Sequence, residues 1–492
     1  VDGVVVDKLT YDSVIPIGQV AAGDVDGDHS NGNEVVACAS NQAVVALRFD
    51  GSVKWTAAAG TCGLLFPGGD FLVSVPNLAD LDQDGVPEVI TERAILDGAT
   101  GTTEATYSVA PTGTTVVSDL DGDGMLDIAT GNQVFDRNGM QVATTGVGGF
   151  YWPAVGDLDR DGSPEVIATR FASRTLVTWR LVGGAAQMIR GALAIDAAGL
   201  PACAAGSGAG GNGNGGGPPT VGDFDGDGMP DVALAAGNAY VVFDGTALMD
   251  PAVADAGTVL WASPTNDCSS AQTGSTLFDF DGNGRVEAVY GDQQQLRIYD
   301  GLTGEILAEH PHPTGTINEY PVVADVDADG QADIVAITRE TCGTGETATA
   351  CGELRVYGSA TGGWVRTRRV WNQYAYHVTN VEEDGTIPTV ETPNWTVPAL
   401  NNFRQNVQPE AEFAAPDLVA TVVGICSPDE FGVIARVRNL GRAAVPQGVP
   451  VGFYEGDPAA GGVLLGTVPT TKILYPAEAE DVPLLLPEAS SA

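Results

Sequence analysis

Lysine is almost missing from this chain. Only Lys8, Lys54 and Lys472 occur in 492 residues, and Lys and Arg together number 22 against 64 Asp and Glu. The formal net charge of −42 repels a phosphate backbone, which excludes nucleic acid as a natural partner. No run of about 18 apolar residues occurs, so no transmembrane helix is predicted. Helical periodicity is scarce, and 65 Gly and 29 Pro cut the chain into short segments and turns. Only four histidines occur, His29, His310, His312 and His377. With no Gly-x-Ser-x-Gly, HExxH or Walker sequence, no catalytic residue is assigned and the chain reads as a non-enzyme. His310-Pro311-His312 reads as a loop rather than a metal site. No charged-then-apolar leader opens the sequence, so export implies a processed form. Hydrophobic residues make up 43%, enough for a large core and too many for a disordered acidic tail.

Seven cysteines are too few to be the main scaffold of a chain this long, but their placement suggests an oxidising compartment. Cys342 and Cys351 flank a short polar loop and read as a stapled hairpin. Cys38 with Cys62 and Cys203 with Cys268 make two further candidate pairs, which leaves Cys426 over. Buried, reduced cysteines are the alternative. No Cys-x-x-Cys or Cys/His cluster points to zinc.

What the chain has in abundance is one acidic pattern, repeated seven times between apolar segments. It reads Asp-x-Asp-x-Asp-Gly-x-x-Asp/Glu. The copies start at Asp24, Asp80, Asp119, Asp157, Asp223, Asp279 and Asp325, at spacings of 56, 39, 38, 66, 56 and 46 residues. The widest gap holds the Gly-rich insertion GSGAGGNGNGGGPP. Carboxylates at alternate positions of a loop that curls on itself converge on one point, as a hard dication with oxygen ligands requires. The Gly after the third acid permits the turn that brings the fourth acid back. Without a cation, four carboxylates so close repel one another. Calcium fits this ligand set better than magnesium, which takes fewer protein ligands and keeps its water.

The candidate ligands are therefore Asp24, Asp26, Asp28 and Glu34; Asp80, Asp82, Asp84 and Glu88; Asp119, Asp121, Asp123 and Asp127; Asp157, Asp159, Asp161 and Glu165; Asp223, Asp225, Asp227 and Asp231; Asp279, Asp281, Asn283 and Glu287; and Asp325, Asp327, Asp329 and Asp333. Up to seven Ca2+ ions are expected. The first copy separates its third and fourth acids by two extra residues and has His29 where the others have Gly; the sixth has Asn283 as its third ligand. These two are expected to bind most weakly.

Around each loop lie short apolar segments in sets of four, such as STLFDF, VEAVYG, QLRIYD and GEILAEH around the sixth and YPVVAD, DIVAIT, ELRVYG and GGWVRTR around the seventh. Turn signals such as LDGATG, FDRNG and YDGLTG punctuate them. Four-stranded units that cannot bury both faces alone stack radially as propeller blades. Trp55, Trp261 and Trp364 are expected to pack between blades. The predicted fold is all-β: a seven-bladed β-propeller over residues 12–370, preceded by an extra strand at 1–11 that closes the ring or pairs with another molecule. An ordered strap follows at 371–414, with Arg366, Arg368 and Arg369 just before it paired to acidic surface. Asn394-Trp395-Thr396 forms a glycosylation sequon. Residues 415–492 alternate as strands again and read as an immunoglobulin-like β-sandwich.

On these motifs the first 370 residues resemble the FG-GAP/VCBS repeats of integrin-α-type β-propellers, in the bacterial VCBS variety. The resemblance implies calcium on the first, third, fifth and ninth residues of each loop, with a backbone carbonyl at the seventh. Residues 415–487, through RVRNLGRAAVPQGVPVGFYEGDP, resemble the bacterial cell-adhesion-related domain called CARDB, with strands of that domain missing beyond Ala492. Together the two imply a secreted or cell-surface calcium-binding adhesion protein with an extracellular protein or glycan ligand. The alternative is a structural subunit of an extracellular filament or layer, built from copies of itself by strand exchange at the open sandwich edge. A sugar lyase or lectin is a weaker third reading.

Overall fold

The computed structural model describes residues 18–65, 72–195, 199, 215–268, 273–316, 319–342, 349–360, 363–397, 399–409, 418–426, 431–439, 445, 447–458, 461–472, 474 and 478–486. The expected N-terminal strand at 1–11, Cys203 and residues 206–214 of the Gly-rich insertion lie outside these residues.

Each acidic loop joins the first two strands of an antiparallel sheet. Six sheets are four-stranded. They comprise Ala21–Gly23, Glu34–Cys38, Val44–Arg48 and Val53–Thr56; Asn77–Ala79, Glu88–Ile90, Ala94–Asp97 and Thr103–Thr106; and Val116–Ser118, Asp127–Ala129, Gln133–Phe135 and Gln141–Thr144. The fourth is the longest, Tyr151–Gly156, Glu165–Arg170, Thr175–Val182 and Ala185–Ala194. Thr220–Gly222, Asp231–Ala235, Ala239–Phe243 and Val259–Pro264 form the fifth. Ser275–Phe278, Glu287–Gly291, Gln295–Tyr299 and Ile306–Pro311 form the sixth. In every one the strands are hydrogen-bonded in chain order, a plain meander. The first strands of successive sheets touch one another all the way from the first sheet to the seventh.

The seventh sheet departs from expectation. It has three strands, Val322–Ala324, Asp333–Ile337 and Leu354–Tyr357. The segment GGWVRTR, expected as its fourth strand, leaves the sheet instead. Val365 donates to the Phe280 carbonyl and accepts from Ala332, so this stretch lies between the sixth and seventh sheets. The polar loop between the second and third strands is a hairpin, Glu340–Cys342 paired with Thr349–Cys351; the side chains of Cys342, Cys351 and Cys426 lie outside the described set. Cys38 and Cys62 are disulfide-bonded as expected, and Cys268 is also disulfide-bonded.

Apolar alternation gives each sheet two buried faces, and neighbouring sheets pack through them. Tryptophan locks some of these joints. Trp55 of the first sheet donates its indole N–H to the Gly98 carbonyl at the turn of the second, 2.7 Å away; Trp261 of the fifth does the same to Gly301 of the sixth at 2.6 Å. Each ring lies on the last glycine of that turn, Gly101 or Gly304, where a Cβ would come within 2.3 or 2.5 Å of it. The turn signals DGATG and DGLTG thus mark an inter-sheet contact as well as a bend. Trp364 packs on Phe280 but from the strap, not from a strand.

From Trp364 the chain runs as an irregular strap that touches the first strands of six sheets. Ala22 donates to the Asn372 carbonyl and Asp325 to that of Arg368, so residues 368–372 bridge the seventh sheet and the first. Gln373 accepts from the Leu78 amide of the second sheet. Asn401 makes a two-way amide pair with the backbone of Asp157 in the fourth. Phe403 exchanges both backbone bonds with Val221 of the fifth. Asn406 takes the Leu277 carbonyl of the sixth through its backbone and the Val323 carbonyl of the seventh through its side chain. Asn394, the sequon residue, is buried with its amide on the carbonyls of Leu400 and Asn402, so it is not presented for glycosylation.

The C-terminal part forms two small antiparallel sheets. One is Leu418–Cys426, Phe431–Asn439 and Ala479–Leu485; the other is Pro450–Glu455 and Val463–Pro469. Ala435, Val437, Val445, Phe453, Leu474 and Val482 make its core.

Candidate metal centres in the acidic loops

The loops are built by backbone geometry that the acids themselves enforce. The first Asp accepts the amides of later loop residues: Asp80 from Asp84 and Gly85, Asp157 from Asp161 and Gly162, Asp279 from Asn283 and Gly284, all at 2.8 to 3.2 Å. The sixth residue is a glycine with φ between +84° and +91° in the second to seventh loops, a region closed to ordinary side chains. The fifth residue turns one oxygen onto the amide two residues on, as Asp84 does to Val86, Asp123 to Met125 and Asp227 to Met229. The ninth returns to the start. This returning acid, the eleventh residue Glu34 in the first loop and the ninth in the others, accepts the amide of the second loop residue in all seven copies: Val25, Leu81, Leu120, Leu158, Phe224, Phe280 and Val326.

The consequence is convergence. Ligand oxygens of Asp24, Asp26 and Glu34 lie within 4.8 Å of one another. So do those of Asp80, Asp82 and Glu88; Asp119, Asp121 and Asp123; Asp157, Asp159 and Glu165; and Asp223, Asp225 and Asp231, with two further groups among the described residues. The remaining acid of each of these five loops is close in sequence but outside the tight triad: it is the third acid for Asp28, Asp84, Asp161 and Asp227, and the fourth for Asp127.

The acids that return to the loop start are buried, and outside the first and fourth loops they have little to neutralise them. Burial raises Glu88, Glu165 and Asp231 to about 8, Asp127 to about 7 and Glu287 to about 9, and the other acids of each loop add to the shift. Asp279 is raised to about 6, again by burial first. In Glu165 burial outweighs the lowering by Arg180. Asp325 Oδ1 is buried with no hydrogen-bond partner. Oxygen-only donors, packed together and short of positive charge, fit a hard dication.

Several cations of the chain reach these loops, and sequence reasoning did not find them. Lys54 bonds the carboxylate of Asp26 and lies 3.0 Å from Glu34. Arg180 contacts Asp161, Asp159 and Glu165. Arg137 meets Asp82 at 3.1 Å and Arg369 meets Asp325 at 3.7 Å. The last contact agrees with the expected pairing of Arg369 to acidic surface. Arg368 also pairs with an exposed acid, Glu383, but is itself buried in the strap and donates to the carbonyls of Val378 and Val381. A signal for Arg180 exists in the strand register, which sets it directly opposite Glu165.

His312 is buried between Tyr357 and the Ile337 carbonyl, at 2.8 and 3.2 Å, and is no metal ligand.

Chained meander sheets, each with an acidic loop between its first two strands, define a repeat β-propeller. A family model agrees with the repeat and one solved structure with the fold. A family model described as an FG-GAP-like repeat matches residues 279–336, which hold the sixth and seventh loops. No curated protein matches the chain by sequence. Among solved structures, the biofilm matrix protein Bap1 of V. cholerae matches with a TM-score of 0.57 and 18% identity, over 79% of this chain and 84% of that one. Rhamnogalacturonan lyase YesW matches at TM-score 0.30 and 17% identity over 66% and 55% of the two chains. The Dos1 propeller matches at 0.30 and 11% over 66% and 67%.

Proposed function

We propose that this protein is a non-enzymatic, extracellular or cell-surface adhesion or matrix protein whose propeller is held together by bound calcium. One observation carries the reading: seven loops of one design, each between the first two strands of its sheet, with the carboxylates of the first five converging within 4.8 Å. The seven sheets form the blades of one ring in this reading, with the strap at the join between the last and the first. The C-terminal pair of sheets acts as an immunoglobulin-like accessory domain. The shared fold with a biofilm matrix protein supports an extracellular setting, and the disulfides agree with an oxidising one. No helix among the described residues is long and apolar enough to cross a membrane.

The partner class that fits is an extracellular glycan or protein. Binding of the purified chain to immobilised matrix polysaccharides and to surface proteins, with calcium and then with chelator, tests it. Calcium-dependent retention supports adhesion; no retention on either class of ligand contradicts it.

Assembly with copies of itself is the second reading. It is favoured by Val422, Val463 and Leu485 of the C-terminal sheets, which are 67, 65 and 60% exposed. Light scattering over a range of concentrations separates the two: growth beyond 50.4 kDa supports assembly, and a constant mass supports a monomeric adhesin.

A further inference from the structure

We infer that the first and fourth acidic loops hold a cation of the protein's own and take no metal ion, so that the chain binds five calcium ions and not seven. The inference rests on the calcium reading of the remaining loops.

In the first loop, the three converging carboxylates are Asp24, Asp26 and Glu34. Lys54 enters from the fourth strand of the same sheet and bonds two of them, Asp26 and Glu34. The contact is internal: the Lys54 side chain is 7% exposed and Glu34 fully buried. The third, Asp24, faces His29 Nδ1 at 2.8 Å. His29 is the residue that replaces the turn glycine, and the loop's two extra residues give it room. Asp28, the remaining acid, is turned onto the amide and hydroxyl of Ser30. Each carboxylate facing the shared point therefore already meets a basic side chain.

In the fourth loop, Arg180 does the same from the third strand. Its guanidinium lies 2.6 Å from Asp161, 3.4 Å from Glu165 and 3.5 Å from Asp159. That is three of the loop's four acids. A dication bound to the same oxygens would sit against this guanidinium, and like charges at such range repel strongly.

Four of the other five loops are arranged the opposite way, and in the seventh the register sets the uncharged Gly358 opposite Asp333. The residue facing the ninth acid across the strand pair is Arg48 in the first sheet and Arg180 in the fourth. In the second sheet it is Asp97. Continuing the strand register by one step places Asp136, Asp244 and Asp300 there in the third, fifth and sixth. These sheets add negative charge beside the site where the first and fourth add positive charge. In the second and seventh loops an arginine reaches one acid only, with Arg137 half exposed against Asp82 and Arg369 mostly exposed at 3.7 Å from Asp325.

The test is the number of calcium ions bound per full chain at saturation, counted by native mass spectrometry and equilibrium dialysis. The expected counts are five for the wild type, six for K54M or R180M, and five again for the D26N/E34Q double variant, because the first loop contributes no ion. D82N in the second loop should drop the count to four. The D26N/E34Q and D82N arms stand even if K54M fails to fold. A wild-type count of seven, or a loss of one ion in D26N/E34Q, overturns the inference and leaves the calcium reading intact. A count of zero overturns the calcium reading itself and the inference with it.

Discussion

Single residues in this protein carry two opposed instructions. The ninth acid of each loop must be buried to anchor the loop start, yet burial resists its charge. Glu88 and Asp231 at about 8, Asp127 at about 7 and Glu287 at about 9 record that conflict in the metal-free chain. In the unfolded chain such carboxyls titrate near 4. Between those values the folded state binds more protons than the unfolded one, so metal-free stability falls as pH rises from about 5 to 8. A bound dication removes the conflict. Thermal unfolding in chelator should therefore give a lower Tm at pH 8 than at pH 5.5, and calcium should narrow the gap. A higher Tm at pH 8 in chelator would contradict the burial of these acids. The residues of the loops were legible in the sequence because the requirement is local. The alternate acids, the φ-positive glycine and the returning ninth acid are all set within nine positions in six of the seven loops. Lys54 and Arg180 were not, because their approach depends on strand register and on a neighbouring strand many residues away.

At the scale of elements, the strap is what the sequence read least well. The aromatic, Asn-rich composition after residue 370 set it apart, but the irregular run begins earlier, at Trp364, and its role was not visible. It has no period, since its bonds to the sheets run through single side chains and isolated backbone pairs. The early departure of GGWVRTR from the seventh sheet goes with the same kind of bonds: Val365 pairs with Phe280 and Ala332 of the sixth and seventh acidic loops, and Arg368 with the Val378 carbonyl of the strap, in place of a fourth strand. Arg404 is the centre of this element. It is fully buried and bonds the carbonyls of Tyr374, Pro219 and Pro153, with its guanidinium over the rings of Tyr374 and Phe403. An ammonium cannot fork among these carbonyls or stack in the same way. Arg404→Ala should cost about 3 kcal/mol or more, through orphaned carbonyls and a cavity. Arg404→Lys should recover only part of this. Chemical denaturation of the two variants measures it, and a loss within about 0.5 kcal/mol for the alanine variant would show that the strap does not hold the sheets.

For the whole molecule, the seven sheets and the acidic loops belong to one device. Each loop sits where its sheet's first strand, next to its neighbours in the series, turns into the second. A loop pushed open by its own charge loosens that junction, and a loop drawn closed by a cation sets it. The strap then joins the two ends of the series through Ala22–Asn372 and Asp325–Arg368. The repeat class was readable because seven copies fix the unit. The small C-terminal sheets agree with the strand segments expected there, from Leu418 to Leu485. The most direct measurement of the central claim is the melting temperature of the full chain in millimolar calcium and in excess chelator. Each occupied site contributes about 2.7 kcal/mol at a hundredfold excess over its Kd. Several such sites predict a fall in Tm on chelation of at least about 10 °C, reversed by adding calcium back. An unchanged Tm would contradict the account.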